Sequence, residues 1–482
     1  MKSYNPLKKI LLFLLPLFIV LCSLVPLPKI VFTGLLLVLL ILWIFSFLKE
    51  ESFVWADLPL LVLIGGAFMN GKAFSIIGFE SLGLPLYITE ITIAACIIML
   101  LVKERSPQTL WQSWTSMLPK GLLPAMAVYF MIGSLYIVLG YFANGMIALR
   151  DIVFCHYMLI LLFTLSLVSR LPKPGKLFRL FTPLIIILFL FGLTSFFVRV
   201  PSTSAFRQYI KITKMMSLSL SSGMLVIFCL SFFGSLKKNH KKIAFIIAVC
   251  AFLLVIVAEV RAGWVGMIAA LILLTILLKK EMKVILLLLA VVAGSLWTID
   301  HFGLTIRKNK LSDLSTQIKT ISKPTQVTLP GANIKWRLGI WSEIFREIKI
   351  KPILGWGFGV QVDYIIWGIR LSQYKAEGRS TGIVPAHNHL LAITHKMGIV
   401  GLLLFLFINA RIFFYGTGYL KLCNSDFHRR LLVAALTCLL YWHGMAFFFD
   451  ILESPPTGIF LWILLGTILA VIHKDKKENI SA

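Results

Sequence analysis

Runs of apolar residues long enough to cross hydrocarbon as helices recur along almost the whole chain, separated by short polar stretches. They fall at 10–26, 30–48, 54–70, 85–102, 121–142, 152–168, 180–198, 216–234, 243–259, 263–278, 284–299, 397–415, 431–449 and 457–473. At roughly 20 residues per span, the pattern predicts an all-α polytopic integral membrane protein with about 12 to 14 transmembrane helices. The runs between 243 and 299 are closely spaced, and there the count can shift. The first run follows Lys8 and Lys9 as a signal peptide would, but it ends in LCSLVPLPKI without a small-residue cleavage site. An uncleaved first span, closed by Pro26 and Pro28, is therefore expected.

Loop charge sets the expected orientation, because Lys and Arg accumulate on the cytoplasmic side. With the N-terminus inside, alternate loops carry Lys103, Arg105 and Lys120, then Arg170, Lys173, Lys176 and Arg179, then Lys237, Lys238, Lys241 and Lys242. The series continues with Lys279, Lys280 and Lys283, then Lys421, Arg429 and Arg430, and closes with Lys474, Lys476 and Lys477. Much of the net charge of +27 is thus topological, and it argues against nucleic-acid binding. Composition agrees: 59% of residues are hydrophobic and only 14% charged. The seven cysteines show no paired spacing, so neither a disulfide nor a zinc site is implied.

One loop breaks the short-loop pattern. The expected organisation is an N-terminal transmembrane bundle at 1–299, an extracytoplasmic loop with an amphipathic helix at 300–396, C-terminal transmembrane helices at 397–473 and a cytoplasmic tail at 474–482. The loop holds 14 Lys or Arg against 6 Asp or Glu, a net of +8, which suits an anionic partner or anionic lipid headgroups. Within it, NIKWRLGIWSEIFREIKIKP (333–352) has helical periodicity, with Asn333 as a cap and Pro352 as a stop. Ile334, Leu338, Trp341, Ile344, Phe345 and Ile348 form an apolar stripe, while Lys335, Glu343, Arg346 and Glu347 face away. Arg337 falls within that stripe, so it either snorkels to headgroups or points at a buried anion.

Other ionisable groups gather on the same expected side. Arg261 lies between two spans with Glu259 close by, an arrangement that equally fits an interfacial ion pair. Arg150 and Asp151 open another helix, and Arg207, Lys211 and Lys214 add positive charge. Headgroup contact competes with substrate contact for each of these cations. In PAHNHLLAITHKMGIVGLL (385–403), His387, Asn388, His389 and His395 stand around the start of a span. Asn388 fits a helix cap as well as it fits a substrate contact, and Gly355, Gly357 and Gly359 fit a tight turn as well as a phosphate approach. Glu90, inside an apolar run, is a further candidate substrate contact, whereas Asp450 and Glu453 are equally read as solvated.

Four of these features together resemble the O-antigen ligase and O-antigen polymerase superfamily of bacterial membrane glycosyltransferases. They are Arg261 in an R-x-G-W setting, W-R-x-x-x-W around Arg337, PILGWGFG at 352–359, and the His387–Asn388 pair before a span. The resemblance spans about 148 to 470 and is strongest from 333 to 403. It implies an enzyme on the outer face of the bacterial cytoplasmic membrane. Such an enzyme takes glycan from an undecaprenyl diphosphate carrier and passes it to an acceptor glycan or glycolipid, with no cofactor and no required metal. Arg261 and Arg337 match the diphosphate-binding arginines, and His387 matches the family's histidine, a base for the incoming hydroxyl. His389 and His395 have no counterpart in the motif. Polymerisation of teichuronic acid, capsule or O-antigen repeat units is the first expectation, with ligation to lipid A core as the second reading. A transporter of lipid-linked glycan is the third, although its ionisable positions would lie near the bilayer midplane.

Overall fold

The computed structural model describes residues 59–60, 62–63, 88–104, 107–170, 205–258, 260–301, 329–362, 365–366, 369–370, 386–449, 451–452 and 455–481. The regular secondary structure among the described residues is helical apart from one small antiparallel hairpin, β1 (Ile365–Ile366) against β2 (Ile369–Arg370). In chain order the helices are α1 (Ile88–Glu104), α2 (Pro107–Met117), α3 (Leu122–Asn144), α4 (Ile152–Cys155), α5 (Leu159–Arg170), α6 (Ala205–Phe232) and α7 (Lys238–Val257). They continue with α8 (Arg261–Leu277), α9 (Met282–His301), α10 (Leu329–Ile350), α11 (His389–Tyr419), α12 (Asp426–Ala446) and α13 (Pro455–Ser481).

Five described stretches are long and apolar enough to cross a membrane: Leu122–Ser169, Leu218–Ser235, Lys238–Ile256, His389–Tyr419 and Thr457–Ile480. The expected spans at 10–26, 30–48 and 180–198, and nearly all of 54–70, lie outside the described residues. Two adjacent spans were expected at 263–278 and 284–299. There, α8 and α9 instead meet at a bend of 115° around Leu278–Glu281, short of the reversal a hairpin makes.

The core is built around α12, whose residues from Leu431 to Leu439 and Tyr441, Trp442, Met445 and Ala446 are all buried. Helices in lipid gain little from burying apolar surface against one another, so close backbone approach and van der Waals contact hold them together. Gly266 of α8 and Gly444 of α12 meet without any side chain between them, and a Cβ on Gly444 would stand 2.6 Å from the Gly266 Cα. Fifteen residues further along the chain, just past the foot of α8, Glu281 Oε1 accepts from Arg430 Nη1 at 3.3 Å, near the start of α12. These two contacts make α8 and α12 antiparallel. They put Arg261, at the head of α8, at the same end of the bundle as Phe447–Phe449, just past the foot of α12.

Two chemically distinct ends result. At one, the basic loops converge: Arg430 donates to Ser231 O, and Asp475 of α13 binds His428 Nδ1 at 2.9 Å and the Asn424 and Ser425 amides. At the other gather the end of α3, the 3₁₀ turn Gly145–Asp151, α10, the bend 351–362 and the start of α11. That opposite end holds the candidate site.

Candidate active site

The chain reaches this end through a local device. In the R-x-G-W stretch, Trp264 Nε1 donates back to the carbonyls of Val255 and Ile256, the last turn of α7, which helix geometry leaves without intrahelical partners. Gly263 lets α8 close onto Ser219 of α6. The Gly and the Trp therefore build the turn that presents Arg261 as the first residue of α8. Glu259, its expected ion-pair partner, lies outside the described residues.

On α10 the face turned to the bundle is centred on Ile340 and Ile344, both fully or nearly fully buried, with Trp341 and Ile348 beside them. This corrects the expected stripe, because Leu338 and Phe345 are 50% and 53% exposed. It also corrects Glu347, which turns inward to His395 at 2.6 Å. Arg337 lies three and seven residues before those two isoleucines, so it shares their inward face. Its Nη1 donates to Phe448 O at 3.1 Å, and its guanidinium carbon lies 5.1 Å from the centre of the Phe449 ring.

His387 meets the same ring. Its imidazole centre is 5.7 Å from that of Phe449, edge to face, and 5.3 Å from that of Trp336. Arg337 and His387, 50 positions apart in sequence, are thus brought against one phenylalanine. The backbone of His387 is left-handed at φ 51°, a conformation that few residues other than glycine adopt. It is held on both sides: Trp341 Nε1 donates to Ala386 O at 3.0 Å, and Asn388 Oδ1 accepts from Leu390 N and Leu391 N at 2.9 and 3.1 Å. Strain of this kind persists only where the surroundings over-determine it, and it concentrates at functional sites. The oxygen of Asn388 is accordingly occupied as the cap of α11.

The remaining candidates separate. His389 is buried among Phe405, Trp442 and His443, while His395 pairs with Glu347 and stacks on Trp356. PILGWGFG is a docking bend: α11 breaks at Gly398 (φ 63°), and the amides of Ile399 and Val400 there donate to the carbonyls of Pro352 and Ile353. Trp356 N and Gly357 N in turn donate to His395 O and Lys396 O. Gly355 packs flat on this backbone, where a Cβ would stand 2.5 Å from Gly398 N, so its bareness serves packing. Arg150 is exposed, whereas its neighbour Asp151 is buried and accepts from Gly359 N and Lys396 Nζ at 2.7 and 2.6 Å. Arg207 and Lys211 lie in the first turns of α6, away from the basic end. Glu90 of α1 accepts from Tyr157 at 2.6 Å, and its helix packs on α2 and α5. Asp450 and Glu453 lie outside the described residues. Sequence reading passed over the pairings Asp151–Lys396 and Glu347–His395, each linking distant segments whose only signal was a polar residue near an apolar run.

Fold and site together describe a multi-pass helical membrane protein with an arginine and a histidine converging at one end of its bundle. In comparison with known proteins, residues 245–406, which include Arg261, Arg337 and His387, match the model of the O-antigen ligase family. The chain is 29% identical over 125 residues to a protein of Rickettsia felis provisionally named a polysaccharide ligase, a stretch that is 26% of this chain and 28% of the relative. Similarly named proteins of Rickettsia typhi and Rickettsia prowazekii are 28% identical over 155 and 158 residues, 32% of this chain and 35% of each relative. The matched stretch is thus about a third of the length of these curated relatives. These matches support the O-antigen ligase superfamily for this chain, over a narrower stretch than the 148–470 expected from the motifs.

Proposed function

We propose that this protein transfers glycan from an undecaprenyl diphosphate carrier to an acceptor glycan at the outer face of the cytoplasmic membrane, and that it polymerises cell-surface polysaccharide. The observation that carries the reading is the meeting of Arg337 and His387 on the ring of Phe449. In the proposed reaction the acceptor hydroxyl oxygen attacks the anomeric carbon, and the bond from that carbon to the diphosphate oxygen breaks. The bonding pair leaves with the diphosphate, whose negative charge grows. In this reading Arg337 binds that charge through charge-assisted hydrogen bonds, with Arg261, at the same end, as the second cation. His387 takes the hydroxyl proton, a contribution typically of about 10²- to 10⁴-fold.

The names of the rickettsial relatives, polysaccharide ligases, favour a second reading, ligation of finished glycan to lipid A core. The acceptor decides between the two. Purified protein supplied with a lipid-diphosphate oligosaccharide alone should lengthen the glycan if it polymerises. Transfer only when a core lipid is added would instead make it a ligase. Intact substrate crossing vesicles with no transfer would overturn both.

A further inference from the structure

Between α10, the bend after Pro352 and the first turns of α11 lies a cavity of about 40 Å³. Asp151, Lys396, His395 and Gln361 contribute polar groups to its wall, with Ile344 and Ala392 among the apolar ones. Both described bonds to Asp151 fall on Oδ2, so Oδ1 keeps its acceptor capacity. Lys396 Nζ gives two of its three N–H groups to Asp151 and Val360 O. His395 Nε2 is bonded to the Glu347 carboxylate at 2.6 Å. The wall therefore sets an acceptor, Asp151 Oδ1, beside a donor, Lys396 Nζ. Lys396 is paired with Asp151, and His395 with Glu347.

An anion would find no surplus positive charge here, but a hydroxyl, which donates and accepts at once, fits the pattern. Size sharpens the choice. One water needs at least about 10–15 Å³ of such space, so the cavity holds about three, the volume of one hydroxylated edge of a sugar ring. Ala386, part of the wall, is the residue next to His387. We propose that this cavity is the subsite that grips one hydroxylated edge of the acceptor sugar, an uncharged ring, beside the proposed base. The word acceptor rests on the transferase reading above, whereas recognition of a neutral sugar does not.

Saturation-transfer NMR on the purified, detergent-solubilised chain tests it, with the methyl glycosides of glucose, galactose and N-acetylglucosamine as probes and methylenediphosphonate, a diphosphate mimic whose methylene protons report binding, as the control anion. Saturation transfer to at least one neutral glycoside is expected. It should fall fivefold or more in Gln361→Leu and in Ala392→Leu, which fills the cavity without removing a polar group, while transfer to methylenediphosphonate stays unchanged. Arg337→Ala should show the reverse pattern. No transfer to any of the three glycosides would overturn the proposal, as would transfer that persists in either variant with a wild-type melting temperature. If sugar binding is seen but lipid-linked glycan is never consumed, the transferase reading fails and the sugar site stands. Consumption of lipid-linked glycan without sugar binding would leave the transferase reading standing and remove the sugar site.

Discussion

The two ends of the bundle use charge in opposite ways. At the basic end, Arg430 is held by Asp426 at 2.8 Å and Glu281 at 3.3 Å, and the buried Asp475 collects His428, the Tyr419 hydroxyl and two backbone amides. Those contacts join α11, α12, α13 and the turn between α8 and α9, and their product is a fixed architecture. At the site end, Arg337 and His387 rest on Phe449, with Trp336 also against the imidazole. An aromatic face orients a guanidinium through its quadrupole. The same residue type is thus a strut at one end and a candidate ligand-binding group at the other.

Substitutions at each end should therefore fail differently. Arg337→Ala and His387→Ala should each lower the rate of polyprenyl diphosphate release about 10²- to 10³-fold, while the melting temperature moves little. Arg430→Ala should do the opposite. Removing one member of a buried ion pair costs about 3 kcal/mol or more, so unfolding should shift strongly while turnover per folded molecule changes less than about threefold. A normal melt for Arg430→Ala, or a collapsed one for Arg337→Ala, would erase the distinction between the ends. Phe449→Leu tests the shared ring itself, and loss of a partly desolvated cation–π contact of about 1–2 kcal/mol should slow turnover about tenfold.

Smaller effects sharpen the picture. Asn388→Ala should cost about 1 kcal/mol as a lost helix cap, and Asn388→Ser should restore both stability and rate. A serine variant that melts normally but stays slow would instead make Asn388 a substrate contact. The smallest effect expected is that of a chelator, which should leave the rate within about twofold for a reaction run by charge-assisted hydrogen bonds and a proton acceptor.

Much of the candidate site was legible in the chain because its signals are local. W-R-x-x-x-W places an arginine on an amphipathic helix, His387–Asn388 stands before an apolar run, and Arg261 precedes Gly263 and Trp264. Which way α10 turns was not legible. The apolar content of its two flanks is similar, and only the packing on α11 selects the Ile340–Ile344 face over Leu338 and Phe345. Glu347 and Asp151 look like surface charges until His395 and Lys396, 48 and 245 positions away, fold against them. The bend of 115° after α8 was equally hidden, because spacing between apolar runs fixes how far apart two helices start and not the angle between them. For PILGWGFG, three closely spaced glycines announced an unusual backbone, but its partner, the break in α11 at Gly398, is a tertiary fact.

The central claim is that Arg337 and His387 serve one reacting linkage. Its most direct test is the single-turnover release of polyprenyl diphosphate from a lipid-linked oligosaccharide by the wild type, Arg337→Ala, His387→Ala and the double variant. If the two groups act on the same transition state, the double variant should be scarcely slower than the worse single variant, because groups that work as a unit are strongly non-additive. Rate losses that simply multiply, or a single variant that turns over at the wild-type rate, would contradict it.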